Sequence, residues 1–268
     1  MESSWERLLG IMQTLRGEPG CPWDKEQTHQ SLTPYLVEET YEVLDAIEDG
    51  DPLRLKEEMG DLLLQIVFHA QIARENGEFD ADGVVQGLNE KMIRRHPHVF
   101  SDAHVSSSAE VLRNWEEIKL REKGGRSRNS LMDGIPASLP ALLQAERLQG
   151  RAAEVGFDWP DLQGPLQKIH EESGELCRAW EQKDPGKVRE ELGDLLFAVV
   201  NVGRRMGVNC EEALRLSSKK FIERFHFIEE KSRLIEKSVS DLTLEEMDGF
   251  WDEAKSLGDS EKKRKERE

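Results

Sequence analysis

The chain has 268 residues, of which 54 are acidic and 37 basic, for a formal net charge of −17. That balance argues against a general nucleic-acid binder, which needs a basic surface. Cys21, Cys177 and Cys210 form no C-x-x-C pair, so neither a disulfide framework nor a zinc site is indicated. No apolar run resembles a signal peptide or reaches membrane-spanning length, so the expectation is a soluble, cytoplasmic protein with no membrane partner.

Taken in order, Trp5, Leu8, Leu9, Met12 and Leu15 recur at helical spacing and predict a short amphipathic helix. Residues 17–30, with Pro19-Gly20-Cys21-Pro22-Trp23-Asp24, read as a loop. Thr33-Pro34 opens a helix that carries Glu38, Glu39 and Glu42, and Asp51-Pro52 opens a second with Glu58 and Asp61. The apolar run at 62–68 predicts that this second helix is buried nearly all round until it ends at Asn76-Gly77. A third helix spans 82–95 and stops at His96-Pro97, and Ser107 with Glu110 suggests a capped fourth helix that carries Trp115. Residues 123–140 read as a linker between a first domain (1–122) and a second (141–258). Helices start there near Leu162, Pro185, Glu211 and Leu244, and a charged tail (259–268) reads as frayed or disordered. With no run of alternating strands, the expected fold is all-α.

The acidic stretch occurs twice. Glu38, Glu39, Glu42, Glu58 and Asp61 recur 133 residues later as Glu171, Glu172, Glu175, Glu191 and Asp194, and Asp51-Pro52 recurs as Asp184-Pro185. Such register indicates a tandem duplication with one site per copy. Positions three and four apart share a helix face, and two helices joined by a short turn run antiparallel, so the acids of each pair can meet. Carboxylates about 4 Å apart repel by roughly 4 kcal/mol at an effective dielectric of 20, so such a cluster takes up protons or holds a cation. An all-oxygen set favours a hard ion, Mg²⁺ or Mn²⁺. Glu-rich helices are more often solvated faces, but an aspartate at the mouth of an apolar run needs a partner.

Basic residues repeat as well. Lys91 and Arg95 match Lys220 and Arg224, Trp115 matches Trp251, and Arg54 stands where the second copy has Lys187. Beside a metal site, Lys-x-x-x-Arg suits a polyphosphate clamp, and tryptophan either stacks on a base or anchors helix packing. Phosphoryl chemistry on a nucleotide follows, and no P-loop is present.

Glu58-Met59-Gly60-Asp61, Glu191-Leu192-Gly193-Asp194, Cys21-Pro22-Trp23-Asp24, Arg94-Arg95-His96-Pro97-His98-Val99-Phe100 and Gly156-Phe157-Asp158-Trp159 resemble the MazG family of nucleoside triphosphate pyrophosphohydrolases in its tandem form. The resemblance implies helical domains that dimerise into four-helix bundles. It also implies Mg²⁺-dependent cleavage of nucleoside triphosphates between the α- and β-phosphates, in a nucleotide-pool role. On that resemblance the metal ligands are Glu172, Glu175, Glu191 and Asp194, with Glu39, Glu42, Glu58 and Asp61 as counterparts; Glu171 and Glu38 orient water. Nucleotide contacts fall on Lys187, Glu190, Lys220, Arg224 and Trp251, and the second copy is the more active. Two rivals are a non-catalytic interaction module and a di-iron bundle, the latter suggested by the Glu-x-x-His pairs at Glu26/His29 and Glu223/His226.

Overall fold

A computed structural model describes residues 3–101, 104–108, 110, 111, 114, 115, 118 and 130–265, with side chains through residue 257. Among the described residues there are eleven α-helices and no strand, and no helix is long and apolar enough to cross a membrane. The chain divides into two compact units, Met1–Arg126 and Ser127–Glu268. Linker residues 123–129 lie outside the described residues, as do Glu116, Glu117 and Lys119 of the expected fourth helix.

The first unit contains α1 (Ser4–Arg16), α2 (Pro22–Glu26), α3 (Thr33–Asp49), α4 (Pro52–Glu75), α5 (Ala81–Arg95) and α6 (Pro97–Phe100). Its organising pair is α3 and α4. Gly50 ends α3 in the left-handed conformation, and Asp51 caps α4 by accepting from the Leu53 and Arg54 amides. A connection this short turns the chain back on itself, so the two acidic faces run alongside each other. Helix α1 packs on α4, where Met12, Leu32, Val67, Phe68 and Ile72 form the buried core. Short α2 lies inside the stretch expected to be loop; Pro22 at its first position presets the helical dihedral.

The second unit contains α7 (Ala141–Glu154), α8 (Gln163–Glu181), α9 (Pro185–Met206), α10 (Cys210–Leu234), a 3₁₀ turn (Val239–Asp241) and α11 (Leu244–Lys265). Helices α8 and α9 repeat the α3–α4 hairpin, with Asp184 accepting from the Gly186 and Lys187 amides. Helix α7, which the sequence reading left unassigned, packs on α9 as α1 packs on α4, and α11 continues into the charged run as far as Lys265.

The burial expected around the apolar runs is corrected by the structure. Leu63 and Ile66 on α4, and Leu196, Phe197 and Val199 on α9, are all exposed within their own chain. Each hairpin covers one face of its inner helix and leaves the opposite apolar face open.

Candidate active site

In the first unit, carboxylate oxygens of Glu39, Glu58 and Asp61 lie within 4.8 Å of one another. Burial, then the neighbouring charges of Asp61 and Glu42, pushes the Glu39 carboxyl above the usual carboxylate range. Glu42 and Glu38 therefore stand close by, as the spacing predicts. Arg54, expected to contact substrate, is engaged within the unit: Nε donates to Glu58 at 3.3 Å and Nη1 pairs with Asp49.

The second unit gathers two overlapping sets, Glu171/Glu172/Glu175 and Glu172/Glu191/Asp194, each also within 4.8 Å. Glu172 belongs to both and is 4 % exposed. Burial, followed by the charges of Glu175 and Glu172, raises the Glu191 carboxyl. Lys168, one helical turn before Glu172, bonds that carboxylate at 2.6 Å and Glu171 at 2.9 Å. These bonds, the one to Glu172 foremost, hold the ammonium charged above the usual lysine range. Sequence reasoning missed Lys168; its signal was the i,i+4 relation to Glu172. Glu175 also accepts from Arg178 at 3.1 Å.

These donor sets fit a small hard cation. Six-coordinate Mg²⁺ with bonds of about 2.1 Å puts neighbouring ligand oxygens roughly 3 Å apart and opposite ones roughly 4.2 Å apart, a spacing that carboxylates already within 4.8 Å of one another reach by side-chain rotation. No histidine enters any of the three groups among the described residues, which removes the Glu-x-x-His basis for a di-iron centre; His29 instead meets His69, Nδ1 to Nδ1, at 2.7 Å.

Behind Glu172 and Asp194 the second unit opens a cleft of about 410 Å³. Leu148, Gln149 and Ala152 of α7 line one side and Phe197, Ala198, Asn201 and Arg204 of α9 the other. Phe157, Asp158 and Trp159 close one end, and Lys168 stands among the acids at its edge. Trp159 is seated against the first turn of α8: a Cβ on Gly164 would fall 2.0 Å from the indole Cδ1, so only glycine admits the ring there. Asp158 is pulled below the usual carboxylate range by its bond from Arg204 at 2.7 Å, with Arg205 adding a second at 3.2 Å. An apolar slot that ends on carboxylates suits a ligand with a flat hydrophobic part and an anionic part bridged by metal.

The remaining basic residues stand elsewhere. Lys220 and Arg224 lie on α10 and Trp251 on α11, with the Arg224 guanidinium 5.3 Å above the Trp251 ring and Phe221 against it at 5.2 Å. Arg95 covers Trp115 in the same way at 5.4 Å, with Lys91 one turn earlier on α5. Among the described residues no hydrogen bond or ion pair joins Lys220 or Arg224 to the acids, and the exposed Lys187 and Glu190 sit on the first turns of α9.

The family model for the MazG nucleotide pyrophosphohydrolase domain matches residues 27–100 and again 162–227. The chain belongs to this family and carries its domain twice. It is similar to the nucleoside triphosphate pyrophosphohydrolase/pyrophosphatase MazG of Thermotoga maritima, 48% identical over 94% of this chain and 95% of that protein. The nucleoside triphosphate pyrophosphohydrolase of Escherichia coli K12 is 46% identical over 93% of this chain and 96% of its own length. A solved mazG-related protein from Thermotoga maritima is 31% identical, covers 43% of this chain and 98% of its own, and has a TM-score of 0.37.

Proposed function

We propose that this chain is a Mg²⁺-dependent nucleoside triphosphate pyrophosphohydrolase, and that the second unit does the chemistry. The observation that carries this reading is the cleft that ends on Glu172 and Asp194, which puts a nucleoside-sized space directly behind a cation-binding set of carboxylates. Family membership supports the same reaction class.

Glu172, Glu175, Glu191 and Asp194 would hold the metal, with Mn²⁺ a possible substitute. When bound there, Mg²⁺ would supply positive charge to the phosphate oxygens and acidify water at the site. The cleft seats the nucleoside and so aims the α-phosphate at the acids. Glu171, outermost of the set and tied to Lys168, accepts the proton as water adds to the α-phosphorus. The bond from that phosphorus to the bridging oxygen breaks, and pyrophosphate leaves with its electron pair. Lys168, beside Glu171 and Glu172 at the edge of the cleft, would offer its ammonium to the phosphate oxygens. The open apolar faces of α4 and α9 fit pairing of two copies into helical bundles.

The test is incubation of the purified chain with ATP, CTP, GTP and UTP plus Mg²⁺, with products separated by chromatography. Nucleoside monophosphate and pyrophosphate, with no diphosphate at early times and no turnover in EDTA, are expected. Diphosphate as the first product would overturn the cleavage position.

A further inference from the structure

Two buried amides line the cleft, and the bonds each already makes leave it with one role to offer. Gln149 is 7 % exposed, and its Nε2 donates to the Phe197 carbonyl at 2.7 Å. A carbonyl only accepts, so this bond fixes the amide with Oε1 as the remaining group, and that oxygen is buried without a hydrogen-bond partner. Asn201, also 7 % exposed, is fixed in the opposite sense. Its Oδ1 accepts from Arg204 at 3.1 and 2.7 Å. A guanidinium only donates, and this one is held in turn by Asp158 at 2.7 Å. No described hydrogen bond uses Asn201 Nδ2. The wall therefore offers one acceptor and one donor among apolar side chains, with the seated Trp159 at its end.

We infer that Gln149 Oε1 and Asn201 Nδ2 read the edge of a nucleobase that carries an N–H beside a ring nitrogen, as the amino edges of adenine and cytosine do. This rests on the pyrophosphohydrolase reading and extends it to recognition of the base. The pattern suits a base edge, where a donor and an acceptor sit on neighbouring atoms of a flat ring that the apolar wall can hold, whereas phosphate carries no donor to satisfy a buried acceptor. The exocyclic amine donates to Gln149 and the adjacent ring nitrogen accepts from Asn201. The first unit lacks the device: at the same register it has Arg16, which cannot accept, and Phe68, which does neither. Binding without the N–H leaves the acceptor stranded away from water, which is the penalty that gives such sites their selectivity.

The experiment compares matched pairs of substrates: ATP with purine riboside triphosphate, and CTP with 2-pyrimidinone riboside triphosphate. Each second member lacks only the amine. On the unaltered protein the amine-free partner is expected to lose about tenfold or more in kcat/KM, mainly through KM. Gln149→Leu should bring each parent nucleotide down to its partner and erase the ratio. Asn201→Asp keeps the bonds from Arg204 but replaces the donor by an acceptor, so both members of each pair should weaken together while thermal stability is retained. Equal kcat/KM within both pairs on the unaltered protein, or a ratio that survives in Gln149→Leu, overturns the inference and leaves the pyrophosphohydrolase reading standing. Absence of cleavage of any triphosphate overturns both.

Discussion

Behind Glu58 and Asp61 of the first unit, Arg16 stacks on Phe68 at 5.4 Å, grips the Glu75 carboxylate and donates to the Asp24 and Gln27 carbonyls. Behind Glu191 and Asp194 of the second unit, Gln149 and Asn201 occupy the same register and about 410 Å³ stands open. The acids are kept in both copies, while the space behind them is core in one and cleft in the other. Among the described residues the two units therefore share the carboxylate arrangement and differ in what stands behind it. The exchange from large aromatic and guanidinium to two short amides leaves one acceptor and one donor on the cleft wall.

The largest effect should come from breaking the matched aspartates one at a time. Asp194→Asn is expected to lower steady-state hydrolysis at least ~100-fold, through loss of a metal ligand and its orienting charge. Asp61→Asn should leave turnover within about threefold, because Arg16 and Phe68 fill the register that lines the cleft in the second unit. Equal losses would abolish the proposed division between the copies. A smaller effect is expected in stability. Arg16→Gln, which gives the first unit the residue of the second, removes the partner of Glu75 and of two carbonyls. Urea unfolding should register a loss of about 2 kcal/mol. A neutral result would mean that the plug contributes nothing to the first unit. The smallest effect concerns the hairpin turns. Gly50 and Lys183 occupy equivalent places at φ 65° and 56°, and only glycine adopts that conformation without steric cost. Lys183→Gly should stabilise the second unit by about 1 kcal/mol in thermal or urea melts, and no gain would show that its surroundings offset the strain.

Much of this could be read from residue spacing. The acids are separated by three or four positions on each helix, and the Asp-Pro turns fold one helix back onto the next, so Glu58 with Asp61 and Glu191 with Asp194 were accessible to helical arithmetic. Gln149 and Asn201 were not. A glutamine in a helix carries no sign of its role until the chain brings the Phe197 carbonyl to it from 48 positions away, and Asn201 depends on Arg204 being anchored by Asp158 from a different segment. Helix α7 was passed over because it begins at Pro140, inside a stretch rich in proline and glycine whose composition reads as linker. The apolar runs misled for a related reason. Continuous hydrophobicity records that both faces of a helix are apolar, and within one chain only one of them finds cover.

Lys168 has one more consequence. Its ammonium rests on Glu171 and Glu172, so the second unit carries a tethered cation of its own. Part of the mutual repulsion of these carboxylates is thus met by a side chain of the same helix, an internal counter-ion that the chain supplies to itself.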